Sequence, residues 1–207
     1  MVSVCFYFQV HQPLRLRRYS VFEIGQHNNY FDDHKNEAII KKITHKCYLP
    51  ANKLILDLIN KTDGIFKVSY SMTGIVLEQL EKYAPEVIDS FKKLVDTGCV
   101  EILDETYHHT LSFLYSKEEF EEQVEMHNRK IRQLFSYKPK VFRNTELVYN
   151  NELAAFVEKM GYKGILAEGA DHILGWRSPN FIYRPKGAAN LKLLLKNYRL
   201  SDDIAFR

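Results

Sequence analysis

The chain alternates short apolar runs with stretches whose apolar residues recur at helical spacing. Val2–Val10 is a continuous apolar run of strand length, stopped by His11-Gln12-Pro13, where proline ends a strand ladder. Residues 14–46 are polar, aromatic and basic with weak periodicity, which predicts a long loop with short helical pieces. Pro50 opens a predicted helix with Leu54, Ile55, Leu58 and Ile59 on one face. Ile65–Tyr70 is a second strand, running into Ser71-Met72-Thr73-Gly74. A helical stretch with Val87, Ile88, Phe91, Leu94 and Val95 follows and stops at Gly98. Cys99–Leu103 is a third strand, ending in Asp104-Glu105-Thr106-Tyr107-His108-His109. Ser116-Lys117-Glu118-Glu119 is a capping-box pattern before a helix with Phe120, Val124, Ile131 and Leu134 on its face. Lys140–Tyr149 reads as a fourth strand, Leu153–Met160 as the next helix and Gly164–Ala167 as a fifth strand ending in Glu168-Gly169. Phe181–Pro185 and Leu191–Leu195 read as further strands or a hairpin.

Strands alternating with helices predict βαβ units and a parallel sheet in a single α/β domain over residues 1–207. Polar residues cluster at the C-terminal ends of the predicted strands: His11, Thr73, Glu105 to His109, Glu146 and Glu168. That is the end at which a parallel barrel gathers its catalytic groups. The pattern therefore predicts an enzyme.

Composition narrows the partners. The net charge is +3 and the basic residues are scattered, so no nucleic-acid partner is expected. No apolar run approaches the roughly 18 residues of a membrane span, and no membrane partner is expected. The three cysteines are far apart, which favours a reducing compartment, with Cys5 and Cys99 read as small core residues. The first residues already form a strand pattern, so no signal peptide is expected and a cytoplasmic location follows.

Glu146 is the leading catalytic candidate. As a carboxylate closing a buried strand it needs a partner or a task. It is either a nucleophile or base, or a structural carboxylate paired with Arg143 or Lys140. His108 and His109 are neighbours, so at most one faces a site if the strand continues through them. Together with His11 they raise a zinc site as a lesser alternative, but no HxxxH or HExxH spacing occurs. No metal and no cofactor is assigned. Asp104 or Glu105 could equally form an ion pair with Arg143. Trp176, the only tryptophan, is a sugar platform or a loop anchor.

The set His11-Gln12-Pro13, Glu105-Thr106-Tyr107-His108-His109-Thr110-Leu111 and Phe142–Tyr149, in this order, closely resembles glycoside hydrolase family 57, and most of all its α-amylase branch. The resemblance covers essentially the whole chain. It implies an incomplete, seven-stranded TIM-like (β/α) barrel and a retaining enzyme acting on α-glucans or maltooligosaccharides. It implies Glu146 as nucleophile and His11 and His109 as residues lining the sugar site, with Glu105 and Trp176 as further substrate-binding candidates. The family's acid/base aspartate lies in an Asp-Tyr-Glu-Thr-Phe-Gly-Glu-His-like block that this sequence lacks. The expectation is thus a C-terminally truncated barrel, weak on its own as a catalyst. A 4-α-glucanotransferase, a metal-dependent carbohydrate deacetylase and a non-catalytic glucan-binding remnant stand as alternatives.

Overall fold

The structure, a computed structural model, describes residues 3–206. Val2, the first residue of the first predicted strand, and Arg207 lie outside them. Two compact units follow one another, Met1–Glu101 and Ile102–Arg207.

In the first unit, β1 (Tyr7–Val10) pairs in parallel with β2 (Val68–Met72), placing Phe8 beside Tyr70 and Val10 beside Met72. β2 is followed in sheet order by β3 (Val100–Leu103). β1 is apolar but not buried: Phe6 and Phe8 are exposed and stack on each other at 6.4 Å. A continuous apolar run predicts a strand covered on both faces. Among the described residues β1 is an edge strand, paired only with β2. Cys5 beside it is exposed too, so it is not the core residue that its sequence surroundings suggest.

The stretch expected as a loop over 14–46 is a loop only in its first half. Helix α1 (Asp33–Ile43), capped by the Asp32 carboxylate on the Lys35 N–H, continues through a π-helical turn at Thr44–Tyr48 into α2 (Leu49–Lys61). Its buried row is Asn36, Ile40, Thr44 and Tyr48. Two of these four are polar, which hid the helical period. Asn36 is buried because its amide does the work of a strand neighbour. Its Oδ1 accepts the Arg15 N–H at 3.0 Å and its Nδ2 donates to the Arg15 carbonyl at 3.3 Å. On α2, Asn52, Ile55 and Ile59 are buried while Leu54 is exposed. Beyond β2 there are two helices, α3 (Gly74–Tyr83) and α4 (Pro85–Asp96), because Pro85 forces a new start. Val87, Ile88, Phe91 and Leu94 form the buried face of α4, as the spacing predicts.

The second unit begins within β3. Helix α5 (Lys117–Phe135) is capped by Ser116, as expected, although the Glu119 carboxylate is held by Gln123. Strand β4 (Val141–Arg143) pairs in parallel with β5 (Gly164–Glu168), and β5 with β6 (Lys192–Lys196). Between β4 and β5 lies α6 (Asn151–Lys159), started by Asn150 on the Leu153 N–H. β6 realises one of the two late strands expected. The other is reduced to a single antiparallel bridge from Tyr183 to Leu193. The short helix α7 (Asp171–Leu174) and a terminal α8 (Tyr198–Phe206), neither of them foreseen, complete the unit. Its core joins Phe120 and Val124 of α5, Phe142 of β4, Leu153 and Val157 of α6 and Ile165 of β5. At the end of β5, Gly169 donates its N–H to the Lys196 carbonyl at 3.1 Å, and a Cβ there would lie 2.4 Å from that oxygen. Only glycine fits this approach of β5 to β6.

Replacing Asn36 by Ala removes the acceptor of the Arg15 N–H and one of two donors to the Arg15 carbonyl, which keeps the Asp32 N–H at 2.8 Å. The expected loss is about 1–3 kcal/mol, read as a lower midpoint in urea unfolding.

Candidate functional site

β3 and β4 end side by side. Asp104 donates its N–H to the Val141 carbonyl at 2.9 Å and accepts the Arg143 N–H at 2.8 Å, a parallel bridge to Phe142. The chain therefore leaves both strands in the same direction, towards Glu105 and His109 on one side and Asn144 and Glu146 on the other.

Three of the five non-glycine residues with left-handed backbone, among the described residues, lie in these two exits: His109, Glu146 and Leu147. Each such residue costs about 1–2 kcal/mol relative to the right-handed form. Local hydrogen bonds hold the shape. Leu147 N–H donates to the Asn144 carbonyl, Val148 N–H to the Thr145 carbonyl, and the Asn144 amide to the Val148 carbonyl at 2.9 Å. Thr106 and Thr145, both buried, join the two exits through their hydroxyls at 3.1 Å. The fourth predicted strand thus stops at Arg143 and turns sharply at Thr145–Leu147. Backbone strain concentrated on one pair of loops marks them as a candidate site.

The turn gives Glu146 a setting different from the one its sequence position suggests. Its side chain is 71% exposed, so it is not a carboxylate buried at a strand end. Its partner is neither Arg143 nor Lys140. His109 Nε2 lies 3.1 Å from Glu146 Oε1, and His109 Nδ1 lies 3.5 Å from Glu105 Oε2. Glu105 is fully buried, with Arg143 Nη1 at 3.8 Å, so the expected ion pair of these two strand ends is present. The histidine bridges an inner carboxylate and an outer one. Hydrogen bonding to Glu105, then to Glu146, outweighs burial and raises the His109 pKa above its ordinary 6.5, with nearby Arg143 opposing.

His108 is exposed and packs its ring against Tyr107 at 4.9 Å. His11 ends β1 in the first unit, where Nδ1 meets the Thr73 hydroxyl at 3.0 Å. Thr73 also caps α3. Trp176 follows α7 and is 95% exposed, which removes the loop-anchor reading. Asp104, at the base of the site, is fully buried beneath His127, Asn128 and Tyr162. His127 escaped sequence reasoning, although it sits in the buried row of α5 with Phe120, Val124 and Ile131. A histidine on an apolar helix row was the available signal. Among the described residues no three His, Cys, Asp or Glu side chains group as a metal site requires, and no helix is long and apolar enough to cross a membrane.

The raised His109 pKa has a sign. Pairing with Glu105 and Glu146 contributes stability that is fully present below the unfolded value of about 6.5 and is lost as pH rises through the higher folded value. Urea unfolding across that window should show stability falling with pH, and His109→Gln should flatten the slope.

The sequence and the fold have counterparts in known proteins. The family model for glycosyl hydrolase family 57 matches residues 5–207. A protein of Methanocaldococcus jannaschii named "Putative alpha-amylase" is 49% identical over 99% of this chain, which spans 43% of that relative. The 4-alpha-glucanotransferase of Thermococcus litoralis superposes with a TM-score of 0.74 at 21% identity, over 98% of this chain and 29% of its own. A family 57 branching enzyme of Pyrococcus horikoshii does so with a TM-score of 0.65 at 16% identity, over 94% and 47% respectively. The chain thus spans less than half the length of each. With a match that runs almost from end to end and its motifs at the ends of parallel strands, this chain belongs to glycosyl hydrolase family 57.

Proposed function

We propose that the chain carries the nucleophile of a retaining enzyme acting on α-glucans, and that the nucleophile is Glu146. One observation carries the reading: an exposed carboxylate on left-handed backbone at the end of β4, with a histidine aimed at one of its oxygens. Membership in family 57 and relatives named for α-amylase and 4-alpha-glucanotransferase supply the substrate class.

In this reading a Glu146 oxygen attacks the anomeric carbon as the glycosidic C–O bond breaks. The leaving oxygen takes a proton from a carboxylic acid, which a retaining enzyme places about 5–5.5 Å from the nucleophile. Water, or a hydroxyl of a second sugar, then gives up a proton to the carboxylate left by that acid and attacks the same carbon, releasing Glu146. Hydrolysis and glucanotransfer differ only in that acceptor. His109 fixes the direction of the Glu146 carboxylate beside the reacting carbon. Asp104 does not serve as the acid, because its oxygens are turned inward and already accept three side-chain donors. We assign the acid/base to a carboxylate of the complete enzyme outside the motifs present here. The incomplete TIM-like barrel belongs to the same reading, supported by the parallel pairings within each unit. Trp176, exposed and without a packing role, is assigned as an outlying sugar platform.

An activated 2-fluoro glucosyl fluoride tests the nucleophile directly, because fluoride departs without an acid. Mass spectrometry is expected to find one added glycosyl group on the peptide bearing Glu146, and none in Glu146→Gln. An adduct on another residue would overturn the assignment. Starch turnover, which needs the acid, is expected to be lower by about 10²–10⁴-fold than in an enzyme holding both groups. Trp176→Ala should leave stability within about 0.5 kcal/mol. It should also weaken maltooligosaccharide binding by about 2–10-fold in calorimetry.

A further inference from the structure

We propose that Asp104 is a positioning residue that sets how His109 meets Glu146, and that Tyr162, His127 and Asn128 hold it in place; its catalytic consequence rests on the reading of Glu146 given above. Among the described residues, Asp104 forms the main-chain bridge that ties the exits of β3 and β4. Its carboxylate is equally fixed. His127 Nδ1 is 2.5 Å from Oδ1, the Asn128 amide donates to Oδ2 at 2.7 Å, and the Tyr162 hydroxyl donates to Oδ2 at 2.5 Å. Both Asp104 and His127 are fully buried. Burial, and then the charge of Asp104, push the Tyr162 phenol far above its usual pKa, so it remains a donor. The donors come from α5 and from the turn between α6 and β5. One carboxylate therefore ties two strands, a helix and a turn.

From that anchor the chain runs straight to the site. Asp104 Oδ1 also accepts the N–H of Glu105 at 3.2 Å. Glu105 is the inner partner of His109, and Glu146 is the outer one. The charged groups facing His109 are Glu105, Glu146 and Arg143, and Arg143 is itself bonded through its N–H to the Asp104 carbonyl. A shift of Asp104 moves Glu105 and Arg143 together, and with them the bond that aims His109. The network connects, bond by bond, to the imidazole beside the proposed nucleophile.

The test uses the 207-residue chain and two readouts. The first is the His109 imidazole titration by NMR, assigned with His109→Gln. The second is the rate at which the activated glucosyl fluoride labels Glu146. Tyr162→Phe deletes one donor and keeps the ring in place. It is expected to lower the His109 midpoint by about half a unit or more. It should slow labelling by about 3–10-fold with maltooligosaccharide affinity unchanged. Asn128→Ser, a milder loss on α5, should act in the same direction and serves if Tyr162→Phe does not fold. A lower Tm in both variants with an unmoved His109 midpoint would overturn the proposal and leave a purely structural network. A shifted midpoint without labelling of any protein, wild type included, would uphold the positioning of His109 and refute the glycosidase reading.

Discussion

A single main-chain bridge, Asp104 to Phe142, brings together the two strand exits on which the candidate site is built. Parallel strands present their C-terminal ends on one side, so whatever follows β3 and β4 must share that side. The bridge adds register. It fixes which residue of one exit lies opposite which residue of the other, and the Thr106–Thr145 contact repeats the tie one step further out. Left-handed backbone at His109, Glu146 and Leu147 is tolerable because these ties, and the small hydrogen-bonded turn around Asn144, leave the chain little else to adopt.

Charge is layered in this part of the molecule. The deepest carboxylate, Asp104, has its donors from α5 and Tyr162. The next, Glu105, is buried against His109 and Arg143. The outermost, Glu146, stands in water with His109 beside one of its oxygens. Each inner carboxylate is hydrogen-bonded to a group of the layer outside it, Asp104 to the Glu105 N–H and Glu105 to His109. Buried polar networks of this kind stay intact only when every member is satisfied, which makes them sensitive to single-atom changes.

The sequence made the order of elements legible wherever burial and apolarity coincide. The face of α4 is one such place, and so are the caps at Ser116 and Asn150. It failed wherever a polar side chain occupies the core. Asn36 and Thr44 concealed α1, since a helix whose buried row is half polar has no hydrophobic period. β1 failed in the opposite sense, its apolar run lying exposed at the edge of its sheet. At the site, motif residues named Glu146 and His109, but the order of their contacts depends on the turn at Thr145–Leu147. No periodicity encodes a left-handed glutamate. Likewise His127 and Tyr162 lie 23 and 58 residues from the aspartate they hold, a distance at which sequence spacing carries no information.

The exposure of Glu146 fixes where dehydration of that carboxylate takes place. Folding leaves most of its hydration shell intact, so the fold does not bear the several kcal/mol that a buried, unpaired carboxylate would cost. The shell must instead be stripped by whatever arrives. In the reading proposed above, a ligand that covers Glu146 closely would raise its reactivity by displacing water from it, and one that covers it loosely would leave it hydrated and slow. Discrimination between ligands at this carboxylate would then depend on how completely each one dries it, as much as on how tightly each one binds.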